Sequence, residues 1–111
     1  MTVVSKPASL RLDLEAAVAM MEDAMKRPPA ELTYEVDLVE RRIVGVRDRL
    51  IAILRGGGQP ASRARDALDV VNAALSLVAG VEYPATGIQR SMLEQARDAI
   101  RRLLEEDRLP A

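Results

Sequence analysis

Residues 32–55 read LTYEVDLVERRIVGVRDRLIAILR, and this stretch decides the fold. Its apolar residues recur at alternating steps of four and three, in the order Leu32, Val36, Val39, Ile43, Val46, Leu50 and Ile53. That heptad spacing keeps one apolar stripe turned towards a neighbouring helix in near-parallel packing. The stretch therefore predicts a long helix from about Glu31 to Arg55, which the glycines at 56–58 bring to an end.

Three further segments have helical apolar periodicity between clear breakers. Their predicted bounds are about Ala8 to Lys26, Pro60 or Ser62 to Gly80, and Thr86 to just before Pro110. Gly80 is expected to close the third helix in the left-handed conformation, and Thr86 and Gln89 are expected to form a capping box at the start of the fourth. Four helices joined in this way predict an all-α, four-helix up-and-down bundle.

The spacing also predicts which residues face the core of the other three helices. They are Leu10, Leu14, Val18, Met21 and Met25 in the first, Ala64, Leu68, Val71, Leu75 and Val78 in the third, and Ile88, Met92, Ala96, Ile100 and Leu103 in the fourth. Four more apolar residues widen the third stripe, so we expect that helix to be the most buried. On the solvent-exposed side of the fourth helix, ion pairs such as Arg101–Glu105 are expected at i,i+4 spacing.

A faint repeat of 50 residues connects the second and fourth helices. Arg47-Asp48 recurs as Arg97-Asp98, and Leu50 corresponds to Ile100. The repeat suggests a bundle made of two similar helical hairpins, although two heptad patterns can also match by coincidence.

Composition limits the chemistry that the chain can carry. The 111 residues predict one domain over 1–111, with residues 1–7 expected to be flexible, and the 2% aromatic content requires an aliphatic core. Cysteine and histidine are absent, which removes disulfides, thiol catalysis, the commonest metal ligands and the commonest general base. We therefore expect no metal and no cofactor, and a function that is more plausibly non-catalytic than enzymatic.

The outward side of the second helix is the most informative surface. Opposite the core stripe lie mostly apolar or small residues, interrupted by two charges: Leu38, Arg41, Val44, Gly45, Asp48, Ile51 and Ala52. A helix that is apolar on opposite sides must bury both or expose a patch. Glycine inside a helix costs about 1 kcal/mol relative to alanine, so Gly45 indicates the close approach of another backbone. The interpretation is a contact with a second copy or another helical protein. Burial of this face inside the bundle is an equal alternative.

The start of the third helix suggests a different function. Arg63 and Arg65 follow the glycine loop, in a first helical turn whose free N–H groups attract anions. The alternative hypothesis is therefore an anion-binding or small-ligand-handling protein or enzyme, with Arg42 or Arg49 contributing. An ordinary loop with solvated arginines explains the same residues.

Charge and hydropathy argue against two other classes of partner. The formal net charge is −1, and acidic residues interleave with the arginines of the second helix, so nucleic-acid binding is unlikely. No apolar run approaches the roughly 20 residues that cross a bilayer, and the first seven residues lack a signal-peptide core. We expect a cytoplasmic protein, and the preference for arginine and alanine over lysine suggests a bacterial one.

Overall fold

The computed structural model describes residues 10–26, 32–80 and 88–110, which fold into four helices. The helices are α1 (Leu10–Met25), α2 (Leu32–Gly56), α3 (Gln59–Ala79) and α4 (Ile88–Glu105). The four predicted elements are confirmed, and their predicted bounds differ from the observed ones by one to four residues where the structure describes both. The expected flexible segment 1–7 and the Thr86 capping box lie outside the described residues.

The helices form a closed ring in which each packs against two others. α1 packs on α2, α2 on α3, α3 on α4, and α4 returns to α1, whereas the backbones of the diagonal pairs do not approach each other closely within the described ranges. This is the arrangement of an up-and-down four-helix bundle. It gives every helix one inner face, two flanks against neighbours, and one outer face.

The core is aliphatic and follows the predicted stripe of α2 closely. Val36, Val39, Ile43, Val46 and Leu50 are all buried, and they belong to one cluster to which all four helices contribute. Burial of such side chains stabilises a fold by about 1.5–3 kcal/mol each. The heptad stripe of α2 therefore supplies a large share of the apolar stabilisation.

Two expectations about the core were wrong. In α4 the fully buried residue is Leu93, whereas Met92 is only half-buried at the flank. α3 is not the most buried helix, since Leu68, Val70 and Leu75 lie half-exposed. The ring explains the second error: α3 has neighbours on only two sides, so the residues that widen its apolar stripe pack at the edge of the core and are only partly buried.

Glycines shape both ends of α3 for different reasons. Gly57 and Gly58, which separate α2 from α3, have φ values of 73° and 83°, a region that glycine enters without steric cost. Gly80 has φ −83° and ψ −4°, so the expected left-handed cap is wrong. A Cβ at Gly80 would lie 2.7 Å from Met92 Cε, the flexible end of a side chain of α4, which would have to shift.

The chain reverses after α4 and returns to the core. Asp107 has φ 51°, and its N–H donates to the Leu104 carbonyl while the Arg108 N–H donates to the Leu103 carbonyl. This pattern is a Schellman motif with aspartate in the position that glycine usually takes. It carries Leu109 back to a buried position, 6% exposed, which the sequence analysis did not foresee.

The 50-residue repeat extends to burial. Along α2 and α4, the paired positions Ile43/Leu93, Val46/Ala96 and Leu50/Ile100 are all fully buried. Along α1 and α3, the same is true of Leu14/Ala64, Ala17/Ala67, Met21/Val71 and Ala24/Ala74. Contacts correspond too, because α1 packs on α2 as α3 packs on α4. The bundle therefore consists of two hairpins with related inner faces.

Candidate interaction surface

The outward side of α2 is only partly covered by the rest of the bundle. We call it the α2 outer face, and it comprises Leu38, Arg41, Val44, Gly45, Asp48, Ile51 and Ala52. Four of these residues are exposed and the other three, Leu38, Val44 and Ile51, are half-buried. Those three are not among the half-buried apolar residues that pack against the core. The face thus presents apolar side chains that the core does not use.

Gly45 sits in open space at the middle of this face. A Cβ built there would meet no atom within 4 Å beyond its own helix backbone. Gly80 provides the contrast, because a Cβ there would meet the terminal methyl group of Met92 at 2.7 Å and the Ser76 carbonyl oxygen at 3.3 Å. No contact inside the bundle compensates for the cost of a glycine in the interior of α2.

The matching side of α4 shows what the bundle itself requires of an outer face. At the positions 50 residues after Val44, Gly45, Ile51 and Ala52 stand Glu94, Gln95, Arg101 and Arg102. All four of these α4 residues are polar and exposed. An outer face in this bundle can therefore be polar at these four positions, so the packing of the core does not require Val44 and Ile51 to be apolar. Leu38 differs, because its counterpart is the apolar Ile88.

A groove between α1 and α2 borders this face. It has a volume of about 590 Å³, and its walls include Met20 of α1 together with Leu38, Arg41 and Gly45 of α2. Leu38, Arg41 and Gly45 belong to both the groove and the α2 outer face. The groove therefore adds depth beside Gly45, where a side chain from outside could enter.

The carboxylate of Asp13 connects α1 to α2 at the wall of the groove. Asp13 accepts a hydrogen bond from Arg42 Nη1 at 3.1 Å through one oxygen and pairs with Arg49 through the other. The Asp13 side chain is only 17% exposed, so this pairing of α1 with α2 is better shielded than a typical surface ion pair. Arg42 and Arg49 are thus engaged in holding the two helices together.

The two charges on the α2 outer face are differently placed. Arg41 is exposed and forms no ion pair with any residue that the structure describes. Asp48 pairs with the adjacent Arg47 at 3.1 Å, but its side chain remains 62% exposed. The equivalent Arg97–Asp98 pair on α4 is built in the same way, at 3.0 Å. Asp48 can therefore accept a further donor from outside.

The predicted anion-binding arginines have less support. Arg63 Nη1 donates to the Leu109 carbonyl at 3.4 Å, which gives this arginine a structural role in holding the returning chain. Arg65 is exposed, and residues two apart on a helix do not face each other. Arg42 and Arg49, proposed as contributors, are directed towards Asp13 instead.

Sequence reasoning missed the cross-helix ion pairs. Arg101 was expected to pair with Glu105 along α4, but its Nη2 donates to Glu22 of α1 at 2.8 Å. The bridging role of Asp13 was also missed. The available signal was that Arg42 and Arg49 lie one heptad apart on the same flank of α2, which points both guanidinium groups at one neighbouring helix.

Comparison with known proteins yields no relative from which a role could be transferred. No protein-family model matches the chain, and neither the curated proteins nor the solved structures contain a significant match. Within the described residues, no helix is both long and apolar enough to cross a membrane.

Proposed function

We propose that this chain is a non-catalytic interaction module that associates with a second copy of itself through the α2 outer face. The observation that carries the proposal is the open space around Gly45. A glycine inside a helix lowers the stability of that helix. No neighbour within the bundle compensates for this cost at Gly45, but the close approach of a helix from another molecule would. Binding another helical protein through the same surface would be a related outcome.

The contrast between the two hairpins supports this proposal. The four matching positions of α4 carry charged and amide side chains that are exposed to water, and Arg101 also pairs with Glu22 of α1. The α2 outer face carries Leu38, Val44 and Ile51 around a glycine, and burying apolar area would supply the association free energy at about 25 cal/mol per Å² before the costs of ordering are subtracted.

The direct test replaces Gly45 with arginine. Because a side chain at Gly45 would meet open space in the single chain, Gly45→Arg should leave the monomer folded and α2 helical. In the assembly, the new side chain would stand between the two helices. We therefore expect Gly45→Arg to abolish self-association, measured by light scattering coupled to gel filtration over about 1 µM to about 1 mM.

Gln95→Arg is the matched control, since position 95 corresponds to position 45 on the other hairpin. It adds the same side chain and charge to a face that is already polar, and it should leave the solution mass unchanged. Circular dichroism establishes that both variants remain helical. Assembly that survives Gly45→Arg, or that is lost equally in Gln95→Arg, would count against the α2 outer face.

The setting that we propose for this module is the bacterial cytoplasm. The support is compositional: arginine and alanine are favoured over lysine, and cysteine is absent, as is usual where disulfides do not form.

A further inference from the structure

Six of the seven residues of the α2 outer face, all but Ala52, are arranged symmetrically about its centre. The position that corresponds to Ala52 is Asp37. Leu38 and Ile51 lie at equal distances on either side of the midpoint between Val44 and Gly45, and so do Arg41 and Asp48. Each symmetric pair joins chemically complementary groups. Leu38 and Ile51 are both apolar, and Arg41 and Asp48 carry opposite charges. At the centre, Val44 has a side chain where Gly45 has none.

From this symmetry we infer that two copies pack with their α2 helices antiparallel, about a two-fold axis that passes between Val44 and Gly45. In that arrangement Arg41 lies opposite the partner's Asp48, and Asp48 lies opposite the partner's Arg41. A two-fold interface repeats every contact, so one complementary pair provides two ion pairs. The inference rests on the proposed self-association and specifies its register.

The axial distances fit this arrangement. Arg41 and Asp48 are seven residues apart, or about 10.5 Å along α2 at about 1.5 Å per residue. Each therefore lies about 5 Å from the two-fold axis, measured along α2. An antiparallel partner places the opposite charge at the same position along the helix. Seven residues are also close to two full turns, so both charges point to the same side of α2.

The exposure of both charges fits as well. Arg41 is exposed and has no ion pair within the described part of the chain. Asp48 already accepts from Arg47, but a carboxylate has about four acceptor sites and this one is 62% exposed. At the centre, the partner's Val44 would cover the open space at Gly45.

A parallel arrangement is disfavoured by the same residues. With the two α2 helices parallel about a two-fold axis, Arg41 would face the partner's Arg41 and Asp48 the partner's Asp48. Juxtaposed like charges oppose association, whereas the antiparallel register makes both pairs attractive. Charge complementarity therefore selects the antiparallel register.

The test exchanges the two charges in the full chain. Arg41→Asp alone places two aspartates opposite each other, and Asp48→Arg alone places two arginines opposite each other. We expect each single variant to weaken self-association by roughly tenfold or more. The double variant Arg41→Asp/Asp48→Arg restores complementary pairs, so its affinity should return to within a few-fold of the wild type.

Mixing the two single variants provides a second readout. In a complex of Arg41→Asp with Asp48→Arg, every facing pair is again opposite in charge. Native mass spectrometry with one variant labelled with ¹⁵N should therefore show heterodimers in large excess over either homodimer. Circular dichroism of each variant checks that the exposed substitutions leave the helices intact.

The possible results separate this inference from the proposed function. If each single variant associates as well as the wild type and pairs preferentially with the wild type, the helices are parallel and the inferred register is wrong. If Gly45→Arg abolishes assembly while the charge variants have no effect, the face is confirmed and the Arg41–Asp48 register is overturned. If no variant on this face changes assembly, both the register and the proposed surface fail.

Discussion

α2 and α4 hold related positions in the two hairpins, yet only their inner faces are alike. Leu50 and its counterpart Ile100 are fully buried in the same core. On the outer faces, Gly45 stands in open space where α4 has the exposed Gln95. The inner faces resemble each other because both must fill the same core, whereas the outer faces are free to differ.

This difference between the outer faces shows which features of α2 the fold requires. α4 carries polar residues at the four positions that match Val44, Gly45, Ile51 and Ala52, so the apolar character of α2 at these positions is not a requirement of the bundle. The second hairpin thus acts as an internal control for the first. Features shared by both hairpins belong to the fold, and features confined to one are candidates for function.

The largest expected effect tests whether the inner faces really are equivalent. Leu50→Ala and Ile100→Ala each remove a fully buried side chain from the shared core and leave a cavity. We expect each to lower the free energy of unfolding by about 2–5 kcal/mol, measured by urea denaturation at one low protein concentration. A loss below about 1 kcal/mol at either position would break the correspondence between α2 and α4.

A smaller effect is expected from the charge that holds α1 to α2. Asp13→Ala removes the carboxylate shared by Arg42 and Arg49, and hydrogen bonds to charged groups contribute more than neutral ones. We expect a loss of about 1–2 kcal/mol in the free energy of unfolding, because the guanidinium groups are partly exposed and can turn to water.

Arg63→Ala is the matched control on the second hairpin, since position 63 corresponds to position 13. It removes one long hydrogen bond to the Leu109 carbonyl, so a loss below about 1 kcal/mol is expected. If Arg63→Ala proved the more damaging of the two, the ion pairs of Asp13 would not be a special feature of the first hairpin.

The smallest effect has the opposite sign. Gly45→Ala places a methyl group in open space and improves helix propensity, so the monomer should be more stable by about 0.5–1 kcal/mol. The measurement uses the Ile51→Arg background, in which assembly is expected to be absent. In the otherwise native chain the same change should weaken self-association. A destabilised monomer would show that an internal contact explains Gly45 after all.

The elements of this fold could be predicted because each depends on residues close together in sequence. The heptad stripe of α2, the glycines after it and the prolines after α1 all act locally, and the structure confirms the helices that they predict. Leu93 could also have been assigned to the core, since it lies 50 residues after Ile43, but the sequence analysis followed Met92 instead.

The remaining features depend on which helices become neighbours, and spacing within one helix does not contain that information. Arg101 had an acceptable partner at Glu105, and only the packing of α4 on α1 brings Glu22 closer. Gly80 fits a left-handed cap by residue type, but its backbone is right-handed, and Met92 of α4 lies beside it. The exposure of the α2 outer face likewise depends on how the four helices pack into a ring.

The most direct measurement is the solution mass of the native chain beside a variant whose α2 outer face copies that of α4. The copied substitutions are Val44→Glu, Gly45→Gln, Ile51→Arg and Ala52→Arg. The account predicts that the native chain approaches twice the single-chain mass of 12.1 kDa as concentration rises, while the variant stays folded at 12.1 kDa. A native chain that remains at 12.1 kDa throughout, or a variant that assembles equally well, would contradict it.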